Sequence, residues 1–236
     1  MIGSAQKATA EKTFNYLKNK SLKEISGLLF KAFVLIVLPF FVMTRTAVFL
    51  HVQYASNAWI CLLGGVLAGA GLLFLYMSYG RLLFGASTHD LAKNARRYYT
   101  IAFLITLLYC CQTVLFFSAA NAKGESVRSE FTSLHPVLRL AVSTLVFVDR
   151  DLLITDAKRF PEDYHDMGLP SKRHSLHYKQ SDGYVHAVDV RTQNRSSIRN
   201  ALVMLYFRIM GFRTLRHHGT ADHLHVSLKS HDGPGI

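Results

Sequence analysis

Long apolar stretches alternate with short polar ones in the first half of the chain. A helix that crosses a bilayer needs roughly 20 apolar residues, and three stretches meet this length. They lie at about 28–50, 58–79 and 100–120. No Asp, Glu, Lys or Arg occurs between Thr46 and Gly80, which makes the second stretch the strongest. The pattern therefore predicts three transmembrane helices within residues 1–120, preceded by a polar, helical arm.

Beyond residue 120 the apolar runs become short, which is typical of a small folded domain. Residues 121–132 are mostly polar and are predicted to be a linker. Residues 133–236 are predicted to form an α+β domain with an antiparallel sheet. The predicted helices are 136–147 and 196–210, and the predicted strands are 152–155, 186–191, 212–216 and 223–228. A loop is expected at 160–173, and a turn at Gly219.

Charge is distributed unevenly and indicates a membrane topology. Before residue 121 there are eleven Lys and Arg against three acidic residues, and after it sixteen against twelve. The basic residues of the first part cluster in the arm and in the loop at 81–97. Positive loops stay in the cytoplasm, so three spans would place the C-terminal domain on the outer side. Because the excess charge flanks the spans, nucleic-acid binding is not expected.

The distribution of Cys and His limits the metal chemistry that the domain could use. The three cysteines, Cys61, Cys110 and Cys111, all fall within predicted spans, so the domain has no thiolate for a zinc site. Ten of the twelve histidines follow residue 120. A catalytic zinc site needs three protein ligands and one open position, which two His and one carboxylate would supply. Five histidines are predicted to be ordinary surface or turn residues: His135, His165, His217, His218 and His231.

Three short motifs follow one another in the domain. They are Ser-Leu-His ending at His177, Ala-Val-Asp ending at Asp189, and Asp-His-Leu-His ending at His225. In type and order they resemble the motifs of the zinc fold shared by the D-Ala-D-Ala metallopeptidases, the phage L-alanyl-D-glutamate endopeptidases and the hedgehog amino-terminal domain. The resemblance covers about the last 100 residues and none of the membrane part.

The resemblance implies a role for each motif residue. His177, Asp189 and His225 would be the ligands of one Zn²⁺. Asp222 stands where peptidase members place the general base, and His223 would be a supporting group near the substrate. Arg159 resembles the family's substrate-clamping Arg, which faces a substrate carboxylate or the developing oxyanion.

Two features depart from the family pattern. Eleven residues separate His177 from Asp189, five more than the pattern has, and we interpret the extra residues as an inserted polar loop. This insertion leaves His174 and His186 as alternative first ligands. The Arg motif reads Asp-x-x-Arg here instead of Ser-x-x-Arg.

These expectations combine into a membrane-anchored zinc peptidase. The implied substrate is the stem peptide of peptidoglycan, and the implied location is the bacterial inner membrane, with the N-terminus cytoplasmic and the domain periplasmic or extracellular. Either a D,D-carboxypeptidase or an endopeptidase fits, and the oligomeric state stays open. One alternative is a non-catalytic zinc- or peptidoglycan-binding module on a membrane anchor. Another is a small channel or holin-like lysis protein with an ancillary domain.

Overall fold

The fold was obtained as a computed structural model. It describes residues 22–83, 88–166, 168, 170, 174–219 and 222–232, so the predicted arm lies mostly outside the described residues. The chain divides into two compact units, Met1–Pro39 and Phe40–Ile236. The described residues of the first unit are helical from Leu22 onward. The site residues that follow all belong to the second unit.

Three long helices occupy the first half of the described chain. They are α1, Leu22–Tyr54; α2, Ala58–Leu83; and α3, Thr88–Leu115. Each contains a segment long and apolar enough to cross a membrane, with mean hydropathies of 2.2, 2.2 and 1.6. The predicted number of such helices is therefore confirmed. The third helix ends at Leu115 and not near 120, and a short 3₁₀ turn, Ala119–Asn121, follows it.

Small residues allow α1 and α2 to approach closely. A Cβ atom placed on Gly65 would lie 2.5 Å from the backbone oxygen of Met43 and 3.3 Å from the Cβ atom of Ala47. Close helix packing thus explains the glycine at position 65, whereas a Cβ atom on Gly71 would meet nothing within 4 Å.

The segment predicted as a polar linker is folded, which differs from the expectation. It contains helix α4, Glu125–Glu130, and the 3₁₀ turn Phe131–Ser133. Val127 and Phe131 are buried, and the Phe131 ring stacks on Phe117 with ring centroids 4.0 Å apart. Two apolar side chains are enough to attach this polar segment to the core. The polar composition of the segment as a whole therefore led to the wrong prediction of a linker.

Helix α5, Pro136–Val148, begins where the sequence predicted a helix and lies at the centre of the second unit. It packs against α2, α3 and a later helix, α7, Ser197–Met210. Arg139 Nη1 donates to the carbonyl oxygen of Val114 (3.3 Å), and Tyr109 donates to Thr144 Oγ1 (3.0 Å). The domain is therefore docked on the long helices through α5.

Four strands form an antiparallel sheet in the order β1-β2-β4-β3. The strands are β1, Ile154–Asp156; β2, Ala187–Arg191; β3, Arg213–His217; and β4, His223–Ser227. Their positions agree with the predicted strands to within a few residues. The predicted loop at 160–173 begins instead with a short helix, α6, Pro161–Asp166, in its described part. On the sheet, Val188, Val190, Leu224 and Val226 are buried in the hydrophobic core.

Gly211 ends α7 in the left-handed conformation, with φ of 99°. A Cβ atom here would lie 2.7 Å from Arg45 Nη1 and 3.0 Å from Val48 Cγ1 of helix α1. Gly168 also has positive φ, 66°, but a Cβ atom there would meet nothing within 4 Å.

We expect Gly211→Ala to destabilise the protein more than Gly168→Ala does. Both changes introduce a left-handed alanine, at roughly 1 kcal/mol or more, but only Gly211→Ala also crowds helix α1. Thermal unfolding of the detergent-solubilised chain measures the difference. Equal losses in the two variants would contradict this contact between α7 and α1.

Candidate metal centres

Within the described residues, two groups of three side chains each bring their ligand atoms within 4.8 Å of one another. The first group is His177, Asp189 and His225, which we call the sheet cluster. The second is His51, His135 and His186, which we call the helix cluster. The sheet cluster contains the three residues that the sequence proposed as ligands, and the helix cluster was not foreseen.

The sheet cluster is built on paired strands and one anchored loop. Asp189 of β2 and His225 of β4 are direct cross-strand partners, and partners opposite each other in an antiparallel pair share one face of the sheet. His177 lies in the loop before β2. Its backbone oxygen accepts from Arg159 N (2.9 Å), and its Nδ1 donates to Ala157 O (2.6 Å).

The ligand atoms of the sheet cluster have the spacing that a tetrahedral metal requires. His177 Nε2 lies 3.2 Å from His225 Nδ1. Asp189 Oδ1 lies 2.9 Å from His225 Nδ1 and 3.3 Å from His177 Nε2. Zinc–ligand bonds of 2.0–2.1 Å at tetrahedral angles separate the ligand atoms by about 3.3 Å. The donor set and its spacing therefore fit Zn²⁺.

Hydrogen bonding prepares both His177 and Asp189 for a cation. Because Ala157 O can only accept, His177 carries its hydrogen on Nδ1 and offers a lone pair at Nε2 when the ring is neutral. Burial by itself would raise the pKa of the Asp189 carboxyl, but the imidazoles of His177 and His225, when they carry a proton directed at it, outweigh burial and lower its pKa. The carboxylate is thus ionised at neutral pH.

Arg159, expected to clamp substrate, is held by the protein's own carboxylates. Its Nη2 lies 2.8 Å from Asp189 Oδ2, and its Nε lies 2.6 Å from Asp156 Oδ2. The side chain is 15% exposed. The observed arrangement therefore orients the Asp189 carboxylate, leaving Oδ1 directed at the two histidines.

The two residues that precede Leu224 have different surroundings. His223 Nε2 lies 3.7 Å from Asp189 Oδ2, and 24% of its side chain is exposed. Asp222 instead accepts from Thr192 Oγ1 (2.7 Å) and from Arg216 Nη2 (2.9 Å). The hydrogen bond from Arg216, together with that from Thr192, lowers the pKa of Asp222 to about 2. His223 therefore borders the sheet cluster, whereas Asp222 is engaged in an ion pair.

The helix cluster joins the end of α1 to the domain. His51 lies in the last turn of α1, His135 is the N-cap of α5, and His186 immediately precedes β2. All three are at most 4% exposed. The expectation that His135 is a surface residue is wrong, because its ring is enclosed by the other two. His186, an alternative first ligand, belongs to this cluster, while His174 is exposed.

Comparisons with protein families, with curated proteins and with solved structures found no match for this chain.

We expect Arg159→Leu to weaken metal binding at the sheet cluster by 10- to 100-fold, the usual effect of removing a partner that orients a ligand. Zinc competition against a chromogenic chelator measures the change. Arg213→Leu, at an exposed position on β3, serves as the control and should bind zinc normally. Unchanged affinity in the Arg159 variant would show that the guanidinium does not support Asp189.

Proposed function

We propose that this protein is a membrane-anchored zinc peptidase that hydrolyses peptide bonds in peptidoglycan stem peptides. The observation that carries the proposal is the convergence of His177 Nε2, Asp189 Oδ1 and His225 Nδ1 at separations of 2.9–3.3 Å. The order and type of the surrounding motifs, which resemble those of the peptidoglycan peptidases, supply the substrate class.

The donor set suits catalysis because one side of it is accessible. His177 and Asp189 are almost fully buried, whereas about a fifth of the His225 side chain is exposed. Zn²⁺ held by these three residues would supply a Lewis acid and lower the pKa of a bound water to about 7. Arg159 would keep the Asp189 carboxylate oriented throughout.

Geometry favours His223 over Asp222 as the group that moves protons. Its imidazole borders the sheet cluster, and imidazole is the usual proton carrier near neutral pH. In this role His223 takes a proton from the attacking water and gives it to the leaving amine. Asp222 could act only after leaving Arg216, and a carboxylate with a pKa of about 2 is a weak base.

Topology and docking would restrict where the enzyme acts. The positive-inside rule assigns the arm and the second loop to the cytoplasm, and the domain to the other side. Packing of α5 against α2 and α3 holds the domain close to the helices that could span the membrane. The substrates would then be cell-wall peptides near the bilayer surface.

A non-catalytic zinc- or peptidoglycan-binding module is the second candidate. The observation in its favour is the ion pair between Asp222 and Arg216, since it occupies the carboxylate that the motif would use as a base. Such a module would bind stem peptides in a zinc-dependent manner without releasing products.

Incubation of the purified full-length chain with muropeptides tests the proposal, with products identified by mass spectrometry. We expect loss of a terminal D-Ala or cleavage within the stem peptide, abolished by a chelator and by His225→Ala. His231→Gln, at an exposed residue outside the sheet cluster, should remain active. Zinc-dependent binding without any product would favour the binding module, and activity that survives His225→Ala would contradict the assigned site.

The proton carrier can be identified by comparing three further variants. We expect His223→Gln to lower kcat at least 100-fold while zinc stays bound, and Asp222→Asn to have a smaller effect. Arg216→Gln would raise the pKa of Asp222 from about 2 toward its ordinary value near 3.9. A general base must be deprotonated to act. If Asp222 is the base, the acidic limb of the pH profile of kcat/KM should therefore shift to higher pH in Arg216→Gln. We expect that limb to stay in place, because we assign the role to His223.

A further inference from the structure

The helix cluster contains buried polar atoms that its own hydrogen bonds do not satisfy. Among the described residues, His51 Nδ1 and His135 Nε2 are fully buried and have no hydrogen-bond partner. Buried polar atoms in folded proteins are nearly always satisfied, so each exception calls for a bound species or another explanation. The two unsatisfied atoms belong to rings whose centroids are 4.5 Å apart.

One backbone oxygen sets the hydrogen positions of two of the rings. Lys229 O lies 2.9 Å from His51 Nε2 and 3.2 Å from His186 Nδ1. A carbonyl oxygen only accepts, so both of these nitrogens carry hydrogen. In their neutral forms the rings then present lone pairs at His51 Nδ1 and His186 Nε2. This is the usual support for metal-binding histidines, which donate their other N–H to a carbonyl or carboxylate.

A carboxylate lies at the edge of the cluster, beside His186. Asp182 Oδ2 lies 2.9 Å from His186 Nε2 and 3.7 Å from His135 Nε2. Two atoms with lone pairs, Asp182 Oδ2 and His186 Nε2, therefore face each other at close range. Such an arrangement is stable only when a cation lies between them or a proton is shared.

We propose that the helix cluster is a second zinc site, in which His51 Nδ1, His135 Nε2 and His186 Nε2 bind one Zn²⁺ and Asp182 moves toward the ion as the fourth ligand. Three His and one carboxylate make a complete tetrahedral set. Four protein ligands would leave no position for a substrate, as in structural zinc sites; the three rings are buried, and Asp182 is 37% exposed.

Binding through His135 Nε2 requires the ring hydrogen to move to Nδ1. That atom now accepts from Val137 N over 3.3 Å, as the N-cap of α5. The move turns Nδ1 into a donor that faces the Val137 N–H, so the cap hydrogen bond is lost and the ring must tilt away from Val137. The metal–nitrogen bond would satisfy the orphaned Nε2 and offset this loss, because metal binding contributes directly to folding free energy.

The proposed zinc would fasten the domain to α1. His51 belongs to α1, whereas the other three ligands belong to the domain. Two neighbouring hydrogen bonds also join the domain to α1. Lys229 Nζ donates to Val52 O (3.4 Å), and His231 Nε2 donates to His51 O (2.9 Å). The metal would thus hold the peptidase domain in a defined position at the end of a membrane helix.

Zinc stoichiometry tests the proposal directly. The full chain, purified in detergent with any affinity tag removed, is dialysed against buffered zinc and analysed by plasma mass spectrometry. We expect two equivalents in the unmodified chain and one in His51→Gln or Asp182→Asn. His231→Gln is the matched control, because His231 contacts the His51 ring but is not a proposed ligand, and it should keep two equivalents.

The two zinc sites can be distinguished from each other. His225→Ala should lose the sheet-cluster zinc and any hydrolysis while keeping one equivalent, and His225→Ala with His51→Gln should keep none. Loading His225→Ala with Co²⁺ should give the visible absorption of a tetrahedral site, absent in the double variant. A single equivalent in the unmodified chain, or a second equivalent that survives His51→Gln, would overturn the second site and leave the proposed peptidase untouched.

Discussion

Burial of helix α5 is the constraint on which the rest of the second unit depends. Nine of its thirteen residues are buried, and a helix that is apolar on nearly every face must be covered on all sides. The long helices α2 and α3 cover one side, and α7 and the core beneath the sheet cover the others. Because His135 is the N-cap of α5, the same packing brings that residue to His51.

The register of β2 and β4 determines which side chains can form the sheet cluster. Pairing of β2 with β4 places Asp189 opposite His225 and puts Val188, Val190, Leu224 and Val226 into the core. A slip of one residue would exchange these two faces and place the ligand side chains in the apolar core. The apolar residues on one face of β2 and β4 therefore hold Asp189 and His225 in place on the other face.

The sequence predicted features that depend on local pattern. Alternation located β2 and β4, Ser196 and Gly211 marked the ends of α7, and the motifs identified His177, Asp189 and His225, which the fold brings together. Contacts between segments that are distant in the chain could not be predicted from these local patterns. His51 and His135 are separated by more than eighty residues, and only docking of α5 against the long helices joins them. The ion pair of Asp222 with Arg216 likewise depends on how β3 and β4 pair.

The two clusters have similar types of ligand but differ in how deeply their histidines are buried. Both proposed sites combine histidines with a carboxylate, but His225 of the sheet cluster and the bordering His223 are 22% and 24% exposed, whereas the three histidines of the helix cluster are at most 4% exposed. A metal can act on a substrate only through a position that the protein leaves free. An accessible three-ligand site therefore suits catalysis, and a four-ligand site with buried imidazoles suits attachment. Placing the four-ligand site at the end of α1 would let one ion fix the domain while the other faces the substrate.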